Sequence, residues 1–226
     1  MNTLAALVGY HFALLLRSQR WLPPLLLYAA LLVVAVQWGQ PVLDSLGYAA
    51  AVLLPVTAWL VRICVTAEPE AARHVLAAAA GPRRVHLSSV LTAAAAASVC
   101  ALAGTAGVLA VCDPHTNDHR TPVSLPGAAC AGLVAALTCV LLGAAVGALC
   151  SRPLLRSTGR AVPAMLLAVL LVLVSGASPA NAAVSGLVTG SRDGTVAVPW
   201  APCAAGVLAF AACAAVACAP AGRRTP

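Results

Sequence analysis

The sequence predicts an all-α integral membrane protein with six transmembrane helices, and three observations carry that prediction. Hydrophobic residues fill 62% of the 226 positions and charged residues only 8%, with a mean hydropathy of +0.96. A soluble domain of this size carries about a quarter charged residues, so lipid is the solvent for most of this chain. Apolar runs of membrane-crossing length recur along the chain, parted by short polar segments. The charged residues collect at the ends of those runs and between them.

Residues 3–20 come first. Leu4, Leu7, Val8, Leu14 and Leu15 fall on one helical face, and Thr3, Tyr10, Arg17 and Arg20 on another. No charge precedes the apolar part and no small-residue cleavage site follows it, so a helix lying in the membrane interface is expected rather than a signal peptide. Trp21 and Trp38 bracket the first apolar run, with Pro23 and Pro24 tolerable in its first turn. At 1.5 Å per residue, a run of about 18 residues just crosses a hydrocarbon core of roughly 30 Å. Residues 21–38 are therefore read as span one.

A short turn leads to span two, residues 47–65, in which Pro55 is expected to introduce a kink. Arg62 near its end reads first as an arginine snorkelling to the interface, with a substrate or phosphate contact as the functional alternative. Spans three and four are expected at 87–111 and 125–149. Gly143 and Gly147 form a GxxxG step in span four that permits close helix packing. Span five is expected at 161–178 and span six at 200–219. Between them, residues 179–198 are too broken to span and too apolar for an ordinary exposed loop. A segment that dips into the outer leaflet and returns fits, provided that other protein shields its backbone.

All thirteen basic residues are arginine, and their placement sets an orientation. Eleven fall on one side: Arg17, Arg20, Arg62, Arg73, Arg83, Arg84, Arg152, Arg156, Arg160, Arg223 and Arg224. Only Arg120 and Arg192 fall on the other, together with four of the six acids, Asp44, Asp113, Asp118 and Asp193. The excess of positive charge on cytoplasmic loops then places both termini in the cytoplasm, as an even number of spans requires. The net charge of +7 is thus a matter of membrane orientation and not of nucleic-acid binding.

The stretch Thr66–His86, TAEPEAARHVLAAAAGPRRVH, is the long polar interruption on the cytoplasmic side. Pro69 suits a helix start, with Glu68 and Glu70 near its positive end. Ala72, Val75, Leu76 and Ala79 recur at helical spacing, with Glu70, Arg73 and His74 around them. Gly81-Pro82 stops the helix, and Arg83-Arg84 mark the membrane surface. A short amphipathic helix over 67–80, held between two spans, is a handle for a soluble partner.

The chemistry the sequence lacks narrows the function. Without a single lysine there is no G-x-x-x-x-G-K-[ST] loop, so the chain does not hydrolyse ATP by that route. It contains no H-E-x-x-H, no G-x-S-x-G and no pair of acids within a span. Ion-coupled transporters usually keep ionisable groups at membrane depth, and here the spans have essentially none away from their ends. Asp113, His115, Asp118 and His119 lie within seven residues on an outer loop, where a solvated loop is the simpler reading and a metal site the alternative. Cys112 and Cys130 both lie near the outer face, where a disulfide could persist, but spacing leaves open whether they meet. Arg152, Arg156 and Arg160 enforce orientation, with anionic lipid heads as a further use.

The order of elements, an interfacial helix, two spans, a cytoplasmic helix, four more spans and a broken apolar piece before the last, resembles the membrane (permease) subunit of type-2 ATP-binding cassette exporters over nearly the whole chain. In that family the helix between spans two and three is the coupling helix, which sits in a groove of the ATPase. TAEPEAARHVLAAAAGPRR looks like its pattern, although the Glu-x-x-Gly step common in the family is missing. The resemblance implies partner contacts at Glu68, Glu70, Arg73, His74 and Arg83. It also implies a multi-pass place in a bacterial cytoplasmic membrane and a second permease copy or homologue. The ATP and Mg would be bound by the ATPase partner, with no cofactor and no catalytic residue in this chain. The walls of Ala, Gly, Val and Leu suit a hydrophobic or amphipathic cargo such as a lipid, a peptide or an antibiotic-like molecule. The alternative reading is a membrane scaffold or regulatory subunit that moves nothing.

Overall fold

The computed structural model describes residues 3–117, 121–151 and 158–218, apart from the side chains of Glu70 and Thr158. Among the described residues every long element is helical, in the order α1 (Thr3–Ser18), α2 (Leu22–Ala35), α3 (Val42–Thr66), α4 (Glu70–Ala80), α5 (Pro82–Val111), α6 (Leu125–Leu149), α7 (Thr158–Val174), α8 (Pro179–Asp193) and α9 (Trp200–Cys218). Four of them, α3, α5, α6 and α9, are long and apolar enough to cross a membrane. Two bent pairs meet the same test only when joined, α1 with α2 at 75° and α7 with α8 at 46°. The chain is therefore a multi-pass integral membrane protein with four to six candidate spans.

The centre of the molecule is α3 against α6, with α5, α8 and α2 also packed on α3, and α9 on α6. Small residues set the closeness of α3 to α6. A Cβ at Gly143 would lie 2.5 Å from the Leu54 carbonyl oxygen, and one at Gly147 would lie 2.7 Å from Val61 Cβ and 2.9 Å from the Ala58 oxygen. The GxxxG step thus meets backbone, which no larger side chain permits. Pro55 sits inside the continuous helix α3.

Two helices are shorter than their apolar runs suggest. The first stops at Ala35, because Val36 turns extended (φ −96, ψ 105) and Gly39 takes a positive φ of 79°. That turn leaves Trp38 84% exposed beyond the helix. It also delivers Val42 N–H to the Asp113 carbonyl at 3.1 Å and the Gln40 carbonyl to Asp113 N–H at 2.9 Å. Likewise α7 ends at Val174, and Ser178 caps α8, its hydroxyl accepting from Ala180 N–H. Asn181 donates to the Leu173 carbonyl at 2.8 Å and holds the bend between the two helices.

These connections meet one another. Asn117 N–H donates to the Ser191 carbonyl at 3.1 Å, and the Ser191 hydroxyl returns a bond to Asn117 Oδ1 at 2.8 Å. The α2–α3 turn, the α5–α6 loop and the end of α8 therefore share one end of the bundle. The α3–α4–α5 connection lies at the other.

Candidate docking site at the junction of α3, α4 and α5

Between Thr66 and Glu70 the chain changes direction, and three local devices fix the new one. Pro69 is extended (φ −58, ψ 146) and its carbonyl accepts from Arg73 N–H at 3.1 Å, which opens α4. The half-buried guanidinium of Arg73 donates through Nη2 to the Val65 carbonyl. That carbonyl belongs to the last turn of α3, where the orphan oxygens and the negative end of the helix dipole favour a cation. At the far end Gly81, at φ 88°, ends α4, and α5 starts at once with Pro82 as its first residue. Pro82 therefore opens a new helix as well as closing the old one, as the fixed φ of proline at a first helical position allows.

Glu68 turns inward. It is only 7% exposed, and its Oε1 lies 3.3 Å from Nε2 of His11, which is 2% exposed. The imidazole is held on three sides. Its Nδ1–H donates to the Leu7 carbonyl at 2.8 Å, Ser89 Oγ lies 3.0 Å from Nε2, and Ser88 Oγ lies 3.3 Å from Nδ1. Both serine hydroxyls also reach the Val85 carbonyl, at 2.8 and 3.0 Å. With Nδ1–H engaged on Leu7, Nε2 is the ring nitrogen that faces the carboxyl group of Glu68. Glu68 Oε1 has no well-aligned hydrogen bond, so the 3.3 Å approach of His11 Nε2 is its main compensation for burial. Three elements meet at this cluster: α1, the α3–α4 link and the first turns of α5.

His11 also orients α1. With Leu7 and Leu15 it makes the buried stripe, while Phe12 and Leu16 are exposed on a second face and Tyr10 and Arg17 on a third. A helix with one face on protein, one apolar and one polar fits the boundary between lipid and water.

What α4 shows to the outside is a different set of residues. Ala71, His74, Val75, Ala78 and Ala79 are exposed, spaced as one stripe of a 3.6-residue helix, and Val75 is 69% exposed. Ala72, Arg73, Leu76, Ala77 and Ala80 are half-buried toward the bundle. Arg83 and Arg84 are exposed one turn beyond the stripe. The candidate residues therefore divide: Glu68 and Arg73 tie α4 down, and His74 and Arg83 face outward. The Glu70 side chain lies outside the described residues. His11, Ser88 and Ser89 have no sequence motif; the available signal is a histidine placed four residues from Leu7 and from Leu15 on one stripe.

The other candidates are more dispersed. His115 Nδ1 and Asp113 Oδ1 are 2.6 Å apart, while Asp118 and His119 lie outside the described residues. Among the described residues no group of three or more His, Cys, Asp or Glu gathers for a metal ion. Cys112 and Cys130 are both free thiols. Burial pushes the Cys112 thiol above its ordinary range. Arg160 is exposed at the start of α7; Arg152 and Arg156 lie outside the described residues.

No protein-family model, curated protein or solved structure matches this chain.

Proposed function

We propose that the chain is the permease subunit of an ATP-driven exporter of the type-2 ATP-binding cassette kind. In this reading each bent pair counts as one span, the chain crosses the membrane six times, and both termini face the cytoplasm. The observation that carries the reading is α4, an 11-residue helix with a smooth exposed stripe, fastened at both ends to buried spans. A helix held this way moves with α3 and α5, so a push on its outer face tilts both. Ala71, His74, Val75, Ala78 and Ala79 with Arg83 form the surface for a soluble ATPase, with Glu70 at the first position of the helix. Glu68, Arg73 and His11 set the angle at which that surface is offered.

The chain supplies no chemistry that would power transport, and a partner that binds ATP and Mg provides it. A second permease, identical or related, completes the pathway, and its Ala-, Val- and Leu-rich walls suit a hydrophobic or amphipathic cargo. The test is purification of a tagged chain from its native membrane in mild detergent, with mass spectrometry of what accompanies it. The unchanged chain is expected to bring a soluble ATPase in stoichiometric amount. Val75→Glu, at the centre of the stripe, is expected to lose that subunit by roughly 10-fold or more, since charge at the centre of a desolvated contact is costly. The chain itself should remain folded, because Val75 touches solvent. A chain that purifies alone would favour the scaffold reading.

A further inference from the structure

The 75° bend between α1 and α2 leaves α2 resting on α3, with a gap to α5 that Tyr28 reaches across to pack on Gly104. The gap is a lateral groove in two chambers that share Leu25 and Cys100. The upper chamber, about 330 Å³, runs along α2 and α5 as far as Val111, and the lower, about 190 Å³, lies under the bend between Phe12, Trp21 and Val99. The floor is open at Gly107, where a Cβ would meet nothing within 4 Å.

We infer that this groove binds an anionic phospholipid of the bilayer, with one acyl chain between α2 and α5 and the head group on Arg17 and Arg20. Two observations identify the occupant. The walls are aliphatic and aromatic side chains in a helix pair that lies in membrane, so the occupant is a long apolar chain. Arg17 and Arg20 are exposed beside the lining residues Leu16 and Trp21, and the sequence holds no acid between Thr3 and Ala35. That local charge selects an anionic head group over a zwitterionic one. The site does not depend on the exporter reading.

The test uses the full chain with Trp21 as its only tryptophan (Trp38→Phe, Trp59→Phe, Trp200→Phe), reconstituted in phosphatidylcholine vesicles at low salt. Trp21 emission is followed as dibrominated phosphatidylglycerol or dibrominated phosphatidylcholine replaces the bulk lipid. The anionic bromolipid is expected to quench at a lower mole fraction, by roughly 5-fold for each arginine. Arg17→Gln with Arg20→Gln should remove that difference. Gly107→Leu, at a position where an added Cβ meets nothing within 4 Å, should intrude on the upper chamber and raise the fraction of either lipid required while the thermal unfolding of the chain is unchanged. Equal quenching by both lipids in the parent would overturn the proposal. Protection of Trp21 from both would overturn it too, and would show that a protein surface, such as a second copy, covers the groove. If the triple replacement fails to fold, native mass spectrometry of the unmodified chain and of Arg17→Gln/Arg20→Gln tests the same site. Bound phosphatidylglycerol on the first and not the second supports the site; equal amounts on both sink it.

Discussion

Gly143→Leu and Gly147→Leu are expected to be the most damaging single changes in this protein. At both positions the first added carbon already meets α3, at the Leu54 oxygen at 2.5 Å and at Val61 and the Ala58 oxygen within 2.9 Å. Helix backbone cannot yield as a flexible side chain does, so the two central helices must separate. Overpacking usually costs about 1–3 kcal/mol, and contact with backbone on a buried helix places these changes at or above the top of that range. Stability of a native fold is itself only about 5–15 kcal/mol, so most of the protein should be lost from the folded pool. Size-exclusion profiles and thermal unfolding in detergent are the readout. Gly107→Leu, where a Cβ has open space, is the control that should behave like the parent. If Gly147→Leu unfolds at the parent's temperature, α3 and α6 do not pack in this register.

The second large effect is expected at Glu68. Glu68 and His11 are buried against each other, and removing one leaves the other without its partner, which costs roughly 1–3 kcal/mol. Glu68→Ala should therefore loosen α1 from α5, and cleavage at Arg17 or Arg20 by trypsin should become much faster than in the parent. Glu68→Gln keeps the volume and a polar end, and should fall between the two. Replacing both partners, His11→Leu with Glu68→Leu, should recover most of the stability, since an apolar pair needs no compensation. A Glu68→Ala protein as stable and as protease-resistant as the parent would mean that the 3.3 Å contact does not hold α1.

How far the sequence is legible depends on what each residue type can signal. Long apolar runs bounded by turn residues announce helices, and α6 occupies Leu125–Leu149, the run expected for span four. Terminations are harder to read, because nothing apolar distinguishes Ala35 from Val36; the helix ends there to serve the turn at Gly39 and the pairing of Gln40 and Val42 with Asp113. The small-residue step at Gly143 and Gly147 is visible as a pattern, but in so alanine-rich a chain its target on α3 is not. The orientation of α4 is hidden for the same reason. Alanine is neutral between lipid, protein and water, so only Val75 and Leu76 carry a preference, and the structure separates them, with Val75 exposed and Leu76 half-buried. Glu68 and Arg73 look like contacts for a partner because charge usually faces water. In the structure Glu68 is buried beside His11 and Arg73 donates to the Val65 carbonyl, and the contacts of His11 with Glu68, Ser88 and Ser89 leave no local trace in the sequence.

The measurement that bears most directly on the function is photo-crosslinking from α4 in the native membrane. A photoreactive residue at Val75, on the exposed stripe, is expected to form an adduct with an ATP-binding soluble polypeptide. The same group at Leu76, turned toward the bundle, is expected to form none. An ATPase adduct from Val75 alone would place the partner on the stripe. No adduct from Val75, or equal adducts from both positions, would contradict the permease account.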